Sequence, residues 1–154
     1  MEIAELPRFK HQLWMEDTPC GLEEVTWPEI EAASTRARRE LKTVAPTRDT
    51  IWYRLAHGLD VGFCGLIAIG GRRTEPDPQN DWVARGWRMK AQWVAPEWRG
   101  EGYGRSLIIG SIHQARDRAA LFIETITQRP DVLGRYGFTT VRFTPGGDVM
   151  RMRF

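Results

Sequence analysis

The sequence is poor in cysteine, has no long apolar run and has little net charge, and each shortage excludes something. Cys20 and Cys64 are the only two cysteines in 154 residues and have no partners at metal-ligand spacing. That argues against a metal site and fits a reducing, cytoplasmic setting, with both thiols acting as small buried hydrophobes. The three histidines, His11, His57 and His113, form no spaced cluster, and His113 suits a structural place on a helix. No apolar run reaches the roughly 18 residues of a membrane-spanning helix. Met1-Glu2-Ile3-Ala4-Glu5 lacks the basic start and apolar stretch of a signal peptide. The net charge of +2 is too small to imply nucleic-acid binding by itself. A local basic excess does exist, at Arg36, Arg38 and Arg39, at Arg72 and Arg73, and at Arg85, Arg88 and Lys90.

What is present reads as one α/β domain over residues 1–154. Phe9 to Met15 is a weakly alternating first strand. Thr26 is an N-cap, Glu29 closes a capping box and Pro28 sits early enough to be tolerated; Ile30, Ala33, Ala37 and Leu41 then predict a helix to about Lys42. Ile51 to Ala56 and Val61 to Ile69 read as paired strands, the second apolar enough to be covered on both faces. Gly70 to Asp81 is a loop. Trp82 to Val94 is a long strand, bulged near Gly86, in which Trp87, Met89, Ala91 and Trp93 alternate with Arg88, Lys90, Gln92 and Val94. Tyr103 to Arg118 is a helix with its buried stripe at Leu107, Ile108, Ile112 and Ala115. A strand at Leu121 to Ile126, a short helix at Pro130 to Tyr136, and a hairpin of Phe138 to Phe143 with Val149 to Phe154 follow.

The most informative stretch joins the long strand to the long helix: Val94-Ala95-Pro96-Glu97-Trp98-Arg99-Gly100-Glu101-Gly102-Tyr103-Gly104-Arg105-Ser106-Leu107. Glycines at alternate positions before a helix let backbone N–H groups face an anion such as a pyrophosphate. A nucleotide P-loop is excluded because Arg105 follows Gly104. The dinucleotide fingerprint G-x-G-x-x-G is excluded because its last position falls on Arg105 or Leu107. What remains, Arg99-x-x-Gly102-x-Gly104 after Val94-x-Pro96, resembles the acetyl-CoA turn of the GNAT superfamily of N-acetyltransferases. Leu133-Gly134-Arg135-Tyr136-Gly137-Phe138 resembles the Tyr-x-x-x-Gly-Phe segment of the same superfamily, and the element order agrees from about residue 50 onward.

The resemblance implies a central, mostly antiparallel sheet with one β-α-β crossover carrying the cofactor turn and helices on both faces. Residues 1–48 would form an acceptor-side helical region and residues 49–154 the cofactor-binding core. Arg99, Gly100, Gly102, Tyr103, Gly104 and Arg105 would surround the pyrophosphate of acetyl-CoA, and the backbone of Trp93 and Val94 would pair with its pantetheine arm. No metal is implied. The acceptor would be a primary amine of a small molecule or protein. A nucleic-acid acceptor is the alternative that the arginine clusters raise, and a CoA-binding module without catalysis is the alternative that Leu133 raises. A homodimer is a further partner suggested by the seven tryptophans.

Acetyl transfer requires an amine that has lost its proton, which at pH 7 costs a lysine-type amine (pKa about 10.4) roughly 4–5 kcal/mol. Glu124, a lone acid in the apolar strand Leu121-Phe122-Ile123-Glu124-Thr125-Ile126, is the candidate base, with an ion pair to an arginine or a solvent-facing position as the alternative. The tyrosine that in many family members protonates the departing thiolate is replaced by Leu133, which leaves Tyr136, Tyr103 or water as the candidate acid, or a thiolate that leaves unassisted.

Overall fold

The computed structural model describes residues 18–41, 50–58, 60–70 and 85–154. The elements, in chain order, are β1 (Leu22–Val25), α1 (Trp27–Ala33), α2 (Thr35–Glu40), β2 (Thr50–Leu55), β3 (Gly62–Ile69), β4 (Gly86–Val94), a 3-10 turn (Pro96–Trp98), α3 (Tyr103–Asp117), β5 (Phe122–Thr127), α4 (Pro130–Gly134), β6 (Thr139–Thr144) and β7 (Gly147–Arg153). The seven strands form one mostly antiparallel sheet in the order β1-β2-β3-β4-β5-β7-β6. β4 and β5 are the parallel pair, joined through α3, so the expected β-α-β crossover is present. Among the described residues no helix is long and apolar enough to cross a membrane.

The described residues group into two compact units. The first takes in 18–41, 51–58, 60–65 and 91–111. Its core joins Ile30 and Ala37 of the two short helices to Trp52, Phe63, Ala91, Trp93 and Ala95. The rings touch in series: Trp27 to Trp52 at 5.3 Å, Trp52 to Phe63 at 6.4 Å and Phe63 to Trp93 at 5.5 Å between centroids. Each such pair adds about 0.5–1.5 kcal/mol beyond burial alone. Of the five described tryptophans, Trp52, Trp87 and Trp93 are buried and Trp27 is half-buried, while Trp98 is exposed.

The second unit takes in 66–70, 85–90 and 112–154 with Thr50. β7 lies between β5 and β6, pairing antiparallel with both. Ile123, Val149, Met150 and Met152 are buried along this ladder, and Leu133 and Phe138 are buried beside it in sequence order.

Several expectations need correction. The single helix to Lys42 is two helices, broken at Ser34. That residue is fully buried with φ −93° and ψ 4°, and its hydroxyl donates to the Glu31 carbonyl at 3.2 Å, competing with the backbone ladder. The Thr26–Glu29 box does form, the Glu29 carboxylate accepting from the Thr26 N–H at 2.8 Å. β1 lies where no strand was expected. The irregularity in β4 is at Ala91, whose φ is +51°, and not at Gly86. Gly86 instead makes room for the Phe122 ring, because a Cβ there would sit 2.3 Å from it. The expected strand at Phe9–Met15, the stop at Pro46, the loop beyond Gly70, Trp14, Arg72, Arg73 and Trp82 lie outside the described residues.

Candidate active site

The glycine turn and the strand before it belong to the first unit. Gly100 and Gly102 have φ of +85° and +90°, a left-handed backbone that L side chains rarely adopt. Around a Cβ placed at Gly100 or Gly104 nothing lies within 4 Å, so both face open space. α3 starts at Tyr103, and its first intrahelical bond runs from Ser106 N–H to the Gly102 carbonyl at 3.0 Å. The N–H groups of Gly102, Tyr103 and Gly104 therefore precede the first intrahelical bond and lie at the helix's positive end.

A cleft of about 420 Å³ is lined by Gln92, Trp93 and Val94 of β4, by Arg99, Gly100 and Gly104 of the turn, and by Glu40 and Leu41 at the end of α2. That volume suits a small organic ligand or cofactor arm. Arg99 is fixed at the mouth: its Nε donates to the Val94 carbonyl at 2.8 Å and its Nη2 to Glu40 at 2.6 Å. Trp93, Val94, Arg99, Gly100 and Gly104 are thus together in one cleft. Arg105 is half-buried on the first turn of α3.

Tyr103 points elsewhere. Its ring packs edge-on against Trp98, 6.0 Å between centroids, and its hydroxyl is 2.8 Å from His57 Nδ1. This phenol serves packing and a hydrogen bond to the β2–β3 connection. Cys64 is fully buried beside Ser111, and burial pushes its thiol up to about 12.

Glu124 belongs to the second unit and is almost fully buried, with 2% of its side chain exposed. The β-ladder aligns Arg88 of β4 and Arg151 of β7 on either side of it. Arg88 Nε donates to one carboxylate oxygen at 3.1 Å, its Nη2 donates to the same oxygen, and Arg151 Nη2 donates to the other at 2.7 Å. Burial by itself raises the carboxyl's pKa, but the hydrogen bonds from Arg88 and Arg151 outweigh it and hold the group below its ordinary value. A carboxylate stabilised as an anion by two guanidinium groups is a poor acceptor for an ammonium proton, so the ion-pair alternative describes this residue. Leu133 is buried in the chain of α4, and Tyr136 is half-buried on the turn after it.

The fold has clear relatives among solved structures. A GNAT family N-acetyltransferase from Escherichia coli, solved with CoA, superposes with a TM-score of 0.57 at 14% identity over 87% of this chain and 81% of its own. A GNAT family acetyltransferase from Elizabethkingia anophelis, solved with acetyl-CoA bound, gives 0.55 at 13% identity over 86% and 97%. The GNAT domain of S. lividans PAT gives 0.62 at 13% identity over 86% and 89%. The fold is that of the GNAT N-acetyltransferases. No family sequence model matches the chain, and no curated protein matches its sequence. Within this fold, the residue that sequence reasoning missed is Glu40, an acid in the cleft beside the glycine turn. Its only signal was position, two residues before the end of a helix expected to run on to about Lys42.

Proposed function

We propose that the chain is an N-acetyltransferase that holds acetyl-CoA in the cleft of the glycine turn and passes its acetyl group to a primary amine of a small molecule or protein. One observation carries the reading: the first turn of α3 at Gly104, the open glycine positions and the Arg99 guanidinium meet in one cleft with the end of β4. The N–H groups of Gly102, Tyr103 and Gly104 and the Arg99 guanidinium suit the two charges of a pyrophosphate, and the backbone of Trp93 and Val94 suits the amide-bearing pantetheine arm.

The reaction needs no cofactor beyond this co-substrate. The amine nitrogen attacks the thioester carbonyl, a C–N bond forms, the C–S bond breaks, and CoA leaves as a thiolate that takes up a proton. The nitrogen loses its extra proton to a base or to water. In this reading Glu124 keeps Arg88 and Arg151 in place and does not take that proton. Tyr136 is the candidate donor to the thiolate, because Leu133 at the usual position carries no proton.

The test is incubation with acetyl-CoA and a panel of primary amines, following thiol release. Release that depends on both the chain and an amine supports the reading. Silence across the panel, in protein that binds CoA, would identify a CoA-binding module without catalysis. Of the arginines that raised a nucleic-acid acceptor, Arg36 pairs with Glu97 and Arg88 with Glu124, and Arg38 stacks over Trp27. A free basic stripe is not what those three form.

A further inference from the structure

We propose that Glu40 is the carboxylate that receives the acceptor's ammonium group, and that the donor's pyrophosphate uncovers it by drawing Arg99 away. This rests on the donor reading of the cleft given above.

α2 is strapped to the donor turn by two ion pairs of opposite sense. Arg36 of the helix reaches Glu97 of the 3-10 turn through two hydrogen bonds of 2.8 and 2.7 Å. One helical turn later, Glu40 accepts from Arg99 at 2.6 Å. The positions i and i+4 share one face of the helix, so the strap places a cation and then an anion against the same stretch of chain. Arg36 also lies over the Trp93 ring, 5.9 Å from its centroid.

The two arms differ in what the donor does to them. Glu97 and Arg36 lie outside the cleft lining, whereas Glu40 and Arg99 both line it. Glu40 and Arg99 keep 41% and 49% of their side chains exposed, and an exposed pair of this kind biases an equilibrium by at most about fivefold. A pyrophosphate carries more charge and offers the guanidinium a bidentate partner, so it wins Arg99 and at the same time repels a carboxylate beside it. The Arg36–Glu97 arm stays closed and keeps α2 in place. The change is then confined to the Glu40 side chain.

Released from Arg99, Glu40 still has the Trp93 indole N–H, which donates to it at 3.3 Å. That bond keeps the carboxylate against the strand proposed to carry the donor arm. It then has no cation hydrogen-bonded to it, since Arg36 one turn earlier is held by Glu97, and it is the one acid among the described residues that line the cleft. An amine acceptor arrives at pH 7 as an ammonium ion, the group such a carboxylate binds. Donor binding would thus create the acceptor's binding site, giving an acceptor that is cationic at the attacking end.

The Trp93 indole N–H resonance reports directly on Glu40. Cadaverine (1,5-diaminopentane) is the probe, titrated into the protein alone, with saturating CoA, and with saturating pantetheine, which lacks the pyrophosphate. The expected result is a saturable shift of the Trp93 indole with CoA present, about two- to fivefold weaker in affinity without CoA or with pantetheine. In Glu40→Gln the cadaverine response disappears, while CoA binds about two- to fivefold more tightly because its competitor for Arg99 is gone. A cadaverine response that is equal with and without CoA, absent with CoA bound, or preserved in Glu40→Gln overturns the proposal alone. If CoA leaves the Gly100 and Gly104 amides unmoved, the donor reading itself fails and takes this proposal with it.

Discussion

Replacing Glu124 by Gln keeps the shape of the side chain and removes the charge that joins Arg88 to Arg151. The carboxylate is 2% exposed, and the guanidinium-bearing side chains are 34% and 25% exposed. In the variant two cations face a neutral amide whose NH₂ can accept from neither. Breaking a buried ion pair from one side costs about 3–5 kcal/mol, and the partial exposure of both arginines places this case near the lower end, about 3 kcal/mol. For a chain of 154 residues that is a fall in Tm of about 6–12 °C. Urea titrations of both proteins from pH 8 down to pH 3.5 add a second check. The folded pKa of Glu124 lies below its unfolded value, so the contribution is full above the unfolded pKa and is lost as pH falls through the folded one. The gap between wild type and variant should stay constant above about pH 5.5 and begin to close below it. A stability difference under about 1 kcal/mol at pH 7, or a gap that widens in acid, would refute the ion-pair assignment. A general base predicts a different outcome: turnover lower by about 10²–10⁴ with the melting curve unmoved.

Tyr136→Phe should lower turnover with donor affinity unchanged, and equal turnover in the two proteins removes the phenol from the proton path. In native protein at pH 8, a thiol reagent should modify Cys20 and spare Cys64, whose thiol is buried and raised to about 12; mass spectrometry reads one adduct before unfolding and two after. Gly110→Ala should destabilise the fold although alanine is the better helix former, because its Cβ would lie 2.5 Å from Leu22 Cγ of β1. A rise in Tm would mean that β1 does not pack on α3 as closely as described.

Features written in short stretches of chain were legible before any coordinates. The glycine turn, the α3 stripe and the Thr26–Glu29 box each depend on residues within a few positions of one another. The alternation along β4 was equally plain, with Trp87, Met89, Ala91 and Trp93 buried and Arg88, Lys90 and Gln92 less so. Features set by long-range register were not legible. Glu124 stood out as a misplaced acid, but its partners are 36 and 27 positions away and meet it only because β4, β5 and β7 lie side by side. Glu40 gave no signal beyond its place near a helix end, because Arg99 is 59 positions further on. Ser34 broke a helix that its neighbours would have continued, since a buried hydroxyl found a carbonyl in the same turn. β1 is four residues of half-exposed chain, and its reason for being a strand is its pairing with β2.

The donor site can be tested with the least disturbance at Gly104. A side chain there meets nothing within 4 Å, its backbone is helical, and it lines the cleft. Gly104→Glu should therefore fold as wild type does, with an acid in the first turn of α3 that the helix tolerates well. Calorimetric titration with CoA should give one site on the wild type. On the variant, affinity should fall by about tenfold to a hundredfold, the worth of one or two charge-assisted hydrogen bonds lost to a carboxylate in the pyrophosphate's place. Equal CoA affinity in two equally stable proteins would contradict the placement of the donor at the glycine turn.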